Sequence, residues 1–252
     1  MFSVKQPPPA MSSDPPPSTR PRIVRRIAHG GGDAAPRWNW QPRAWAQMLL
    51  EYFGLARRRR VEPLVDRASL AEFLRTRASF VAQTSLYGYL RTRAGMRYPE
   101  LFDDDPFVAG INIAKWHIWL ACLSDLAVYA GGLLHRAGTA TPEQVGALVQ
   151  ALVGRILDDT GVPADAGPEY AEHARQVRAR LALVDWHAFE DGEQAFAASP
   201  DALVRWAPVH DDLKQLDEAI VRNSVRFRWQ EVRRDLRACL DARALLGEAD
   251  PG

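Results

Sequence analysis

Residues 105–138 read DPFVAGINIAKWHIWLACLSDLAVYAGGLLHRAG, and the fold turns on this stretch. Asp105-Pro106 reads as a helix start, since proline is tolerated in a first turn and a carboxylate there meets the positive end of the helix dipole. Gly138 reads as the stop. Between them Ile111, Ile113, Trp116, Ile118, Trp119, Leu120, Leu123, Leu126, Val128, Leu133 and Leu134 leave no clean polar face. A helix that is apolar all round is normally surrounded by its neighbours. The longest apolar run, 118–134, is short for a membrane span and contains Asp125. A central core helix is expected, with the rest of the chain packed around it.

Working outward, the other segments also carry helical spacing. Ser69 with Glu72 reads as a capping box opening a helix to about Gly95. Thr141-Pro142 with Gln144 opens another, stopped by Gly161. Pro168 to about Ala188 is next, then a short helix from Ser199-Pro200 that breaks before Pro208. The last runs from about Asp211 to Leu246. No alternating strands bounded by hairpin turns and no internal repeat are found. The expectation is an all-α single bundle of six to seven helices spanning residues 61–252. Cys122 and Cys239 sit in helical runs and read as free buried thiols, which suits a reducing, cytoplasmic compartment. The first 40 residues hold no apolar stretch of signal-peptide length.

The region ahead of the bundle differs. The 252 residues carry a net charge of +1, but residues 1–60 are +8 and the remainder −7. Nine of the 18 prolines lie in residues 1–42, with Gly30, Gly31 and Gly32. Such composition buries too little to offset ordering entropy, so 1–42 reads as a disordered basic arm. In 43–60, Trp45, Met48, Leu49, Tyr52 and Phe53 recur at offsets 0, 3, 4, 7 and 8, one face of a helix. Arg57, Arg58, Arg59 and Arg60 follow directly. An aromatic-anchored amphipathic face beside a polybasic run suits attachment to anionic lipid, peripheral on the inner membrane. The competing reading packs that face on the bundle and leaves the arginines as a solvated helix end.

Several chemistries lack their residues. There is no Gly-x-Ser-x-Gly elbow, and His117 lies about 10 Å along one helix from Ser124. Glu169 to His173 has the wrong spacing for a di-iron bundle, Asp103-Asp104-Asp105 lacks the spacing of a calcium loop, and no phosphate loop is present. No metal or cofactor is expected. Residues 210–246 mix eight basic with seven acidic side chains, which reads as a salt-bridged solvent face with Phe227 and Trp229 turned inward, so no nucleic-acid partner is expected. Asn112, Lys115, His117, Asp125 and, on the last helix, Asn223 form a buried polar set. Asp125 in particular demands a cation, with an arginine of the last helix expected.

Two resemblances extend this reading. Leu86-Tyr87-Gly88, Arg97-Tyr98-Pro99, Asn112-Ile113-Ala114-Lys115-Trp116-His117, Leu123-Ser124-Asp125-Leu126, Arg205-Trp206-Ala207-Pro208 and Val221-Arg222-Asn223-Ser224 resemble a little-characterised alphaproteobacterial helical family over residues 60–246. Its members often carry the label esterase, which implies, as the alternative function, a serine hydrolase without the usual elbow. His117-Ile118-Trp119 and Ile220-Val221-Arg222-Asn223 are similar to segments of the ubiquinol–cytochrome c chaperone family. That likeness implies a helical, membrane-peripheral assembly factor for a respiratory complex. Trp116, His117, Trp119, Asp125, Arg222 and Asn223 would then address the client, a respiratory subunit.

Overall fold

The computed structural model describes residues 62–247. Among them are seven α-helices: α1 Arg67–Ala94, α2 Asp105–Arg136, α3 Pro142–Thr160, α4 Tyr170–Ala182, α5 Ala198–Trp206, α6 Asp211–Cys239 and α7 Ala242–Gly247. Short 3-10 turns at Gly95–Arg97, Pro99–Asp103, Trp186–Ala188 and Glu193–Ala195 join some of them. The all-α expectation holds for this region. Expectations on 1–61, including Trp45, Met48, Leu49, Tyr52, Phe53 and Arg57 to Arg60, lie outside the described residues.

Helix α2 runs through the centre and packs against α1, α3, α4 and α5. Ile118, Leu120, Leu123, Leu126, Ala127 and Leu134 have no exposed surface. It is also the one described helix long and apolar enough to cross a membrane, but 94% of its most apolar window is buried inside the protein. The glycine pair Gly131-Gly132 has a packing purpose. A Cβ on Gly131 would lie 2.5 Å from the Trp186 ring and 2.9 Å from Val149, and one on Gly132 would collide with the Phe189 ring. Two missing side chains thus let the 183–196 connection lie against the core helix.

Boundaries differ from expectation where a nearer partner wins. Helix α1 is capped by Asp66, whose Oδ1 accepts the Ser69 N–H at 2.7 Å while Ser69 Oγ accepts the Asp66 N–H at 3.3 Å. Glu72 instead pairs with Arg75 at 2.8 Å. The expected 168–188 helix ends at Ala182, and Asp185 then caps the separate turn Trp186–Ala188. The last helix breaks at Leu240. There the incoming chain takes over the backbone groups: Leu64 N–H donates to the Cys239 carbonyl at 2.7 Å, and Asp241 N–H donates to the Leu64 carbonyl at 3.1 Å. The Leu64–Leu240 pairing is parallel. Asp241 Oδ1 then accepts the N–H groups of Arg243 and Ala244, starting α7. The Thr141–Gln144 capping box and the Gly161 stop are as expected.

Candidate functional site

Three constellations bear on function, two inside the bundle and one outside. The first centres on Asp125, fully buried on α2. Its carboxylate accepts four hydrogen bonds: from Arg180 Nη1 at 2.8 Å, Ala198 N at 3.2 Å, Ser199 N at 2.7 Å and Ser199 Oγ at 2.7 Å. Helix α5 has no cap of its own, so Asp125 supplies one from a neighbouring helix. Burial pushes the Asp125 carboxyl above its ordinary 3.8, while Arg180 and the Ser199 donors pull it back. The expected cation is therefore present, but it comes from α4. An arginine of α6 is not used: Arg233 of that helix does reach α2, but it lies over the Tyr129 ring and pairs with Asp191 instead.

This arrangement engages two core serines, Ser199 and Ser124. Ser199 Oγ donates to Asp125 and accepts Trp229 Nε1–H at 2.9 Å. Ser124 Oγ accepts Arg180 Nη1–H at 2.9 Å. Cys122 is wholly buried, and burial raises its thiol well above the usual range, with the Asp125 charge adding to the effect.

The second constellation is an aromatic stack. His117 and His173 approach Nδ1 to Nδ1 at 2.9 Å, so one of the two donates a proton to the other. The His117 ring lies on Trp206 with centroids 3.6 Å apart and planes 7° apart. Burial, together with His173 and Arg205 nearby, lowers the His117 imidazole to about 4. Burial and Arg205 lower His173 too. A neutral pair sharing one proton fits this dry setting. Among the described residues no group of three or more His, Cys, Asp or Glu could hold a metal ion. His173 turns to His117, while Glu172 faces Arg175 and Gln176.

These contacts correct the expected partner surface. His117, Trp119 and Asp125 are 0%, 4% and 0% exposed, so a client could not touch them without unfolding the bundle. Trp116 is half-buried, its Nε1–H donating to Asp165 at 2.7 Å, where it ties down the 161–169 connection. Arg222 is held by Asp201 and Glu218. Asn223 is exposed, contrary to expectation, as are Ile220 and Phe227. Asn112 and Lys115 are half-buried at the edge of the core rather than inside it.

The third constellation was missed in sequence. Leu213, Leu216, Ile220 and Phe227 on α6 are 40%, 76%, 71% and 70% exposed. Their spacing of three, four and seven puts them on one stripe. The stripe lies on the side of α6 away from buried Val221, Val225, Trp229, Val232 and Leu236. Helix α6 therefore has two apolar faces, and only one meets the core. The signal was present in the spacing, but the arginines alternating with Phe227 and Trp229 read as a single charged outer face. Elsewhere, a shallow depression of about 460 Å³ beside Leu240, lined by Pro63, Thr139 and Arg243 among others, includes none of the expected site residues.

No protein-family model, no curated protein and no solved structure matches the chain.

Proposed function

We propose that this protein acts by binding rather than by chemistry, as a membrane-peripheral assembly factor or chaperone that receives a helix of its client on the outer stripe of α6. A respiratory-complex subunit is the expected client. The observation that carries this reading is the stripe itself: four large apolar side chains aligned over about 21 Å of the outermost face of a long helix. Covering such side chains contributes about 1.5–3 kcal/mol each when burial is complete, before ordering costs. An amphipathic partner helix supplies the matching i, i+3, i+7 anchors. Asn223, exposed at the edge of the stripe between Ile220 and Phe227, would fix register, as a lone polar residue does in paired helices.

The test is affinity isolation of the full-length chain from gently solubilised native membranes, beside the Ile220→Asp/Phe227→Asp variant. The expected outcome is a stoichiometric respiratory subunit with the parent chain and at least about a tenfold loss with the variant, since a buried charge is costly. Recovery of the chain alone, or equal capture by the variant, removes the reading. Deleting residues 1–60 is expected to release the protein from the membrane fraction, and unchanged association would remove the membrane half. Labelling of a serine in folded protein by a fluorophosphonate probe would restore the esterase alternative.

A further inference from the structure

We infer that two copies of the chain pair through the outer stripe of α6, antiparallel and about a two-fold axis at Ile220, when no other helix occupies it. The pairing goes beyond the binding reading and can be tested without it. Only its consequence, competition between the second copy and a client, rests on that reading.

The stripe is symmetric about its middle. Leu213 and Phe227 each lie seven residues from Ile220, about 10.5 Å along the axis. Reversing one helix on another about Ile220 therefore lays Leu213 of each copy against Phe227 of the other, and Ile220 against Ile220. A two-fold interface requires a self-complementary patch of this kind. Seven residues fall about 20° short of two full turns, so the line of side chains drifts slowly round the helix. Two such lines stay in contact when the helices cross at about 20°, a common packing angle. Asn223 and Gln230, both exposed, supply a polar rim beside the apolar line.

Charge selects the same arrangement. In α6, residues 211–218 hold four carboxylates and one lysine, whereas residues 222–237 hold six arginines and two carboxylates. An antiparallel pair sets the acidic part of each copy beside the basic part of the other and opposes the helix dipoles, while a parallel pair sets like beside like. Asp212 and Arg226 precede Leu213 and Phe227 by one residue each, so both lie on one flank of the stripe. The two-fold brings that flank against its equivalent in reverse order, Asp212 of each copy beside Arg226 of the other. Asp212 is 83% exposed, with exposed His210 beside it. Arg226 makes no ion pair among the described residues, although Arg222, Arg233, Arg234 and Arg237 all do. An arbitrary amphipathic helix would match the apolar line but not this pattern of charge, which favours a second copy as the occupant. The contact covers about four turns of helix a side, the scale of reversible rather than permanent pairs. A client helix must then displace the second copy, so the stripe is masked when the chain is plentiful and open when it is scarce.

Sedimentation equilibrium of the full-length chain from about 1 to 300 µM tests the pairing. The expected result is a mean mass that rises with concentration towards that of two chains and no further, because a two-fold contact closes on itself. Ile220→Asp sets two carboxylates together on the axis and should weaken the dimer at least about tenfold, with the far-ultraviolet circular dichroism of the parent. Asp212→Arg and Arg226→Asp should each weaken it, and combining them should recover most of the loss. For direction, Leu213→Cys chains mixed with Phe227→Cys chains under mild oxidation should form the mixed disulfide faster than either variant bridges to itself. Cys122 and Cys239 are both buried. A single-chain mass throughout overturns the inference. So does an Ile220→Asp variant that pairs as well as the parent, a pair of charge reversals without mutual rescue, or Phe227→Cys bridging faster to itself. A dimer with the expected properties that captures no client upholds the pairing and removes the binding reading. A single-chain mass with client capture intact removes the pairing and leaves the binding reading in place.

Discussion

Asp125 is the residue on which most of the polar interior depends. One carboxylate starts α5, neutralises Arg180 and orients Ser199, which in turn holds Trp229 of α6. Asp125→Ala leaves a guanidinium and two backbone N–H groups without their acceptor, and the expected loss is about 3–5 kcal/mol of stability. Urea unfolding should record it as a lower midpoint with unchanged slope. His117 gives a second expectation. Its imidazole falls from 6.5 in the unfolded chain to about 4 in the fold, and His173 moves the same way. The unfolded chain therefore binds protons first, so the stability contribution is present above pH 6.5 and is lost as pH falls towards about 4. Asp66, Glu143, Asp165, Glu172 and Asp191 are lowered from 3.8 or 4.5, so their losses come at the acid end of this window. Melting temperatures measured from pH 7 to about pH 5 should decline in the parent chain and flatten in His117→Gln. That Asp125 needs a cation was legible from the apolar residues beside it. Which helix supplies the cation was not, because Arg180 lies 55 positions away and only the packing of α4 on α2 brings it near.

At the scale of elements, α2 and α6 are opposite cases of legibility. The central position of α2 follows from its lacking any polar side, and packing agrees. Helix α6 misleads because its two apolar faces are separated by charged residues at helical spacing, so one composition serves both an inner and an outer stripe. Helix α1 is capped three residues before the expected Ser69, because Asp66 reaches the Ser69 amide. The glycine pair in α2 is a further element-level device. Gly131→Ala gains helix propensity of about 1 kcal/mol but drives a methyl into Trp186 and Val149, and overpacking of this kind costs about 1–3 kcal/mol. The expected sum is a net loss of stability, visible as a lower melting temperature. Near-ultraviolet circular dichroism should change as well, because Trp186 must leave its place. An unchanged spectrum with higher stability would mean that the 183–196 connection moves aside freely.

For the whole molecule, the division into a basic front and an acidic body is plain from charge alone. What charge could not convey is how the start of the described chain is held: by a backbone pairing between residues 64 and 240, which are 176 positions apart. During synthesis at about 5–20 residues per second, Leu240 follows Leu64 by about 9–35 seconds. For that interval the start of α1 has no anchor and the outer face of α6 does not yet exist. The aromatic and arginine-rich segment leaves the ribosome well before the bundle is complete. On the binding reading proposed above, a lipid surface near the ribosome would meet that segment before the outer face of α6 exists, so where the protein is made would bear on which of the two is engaged first.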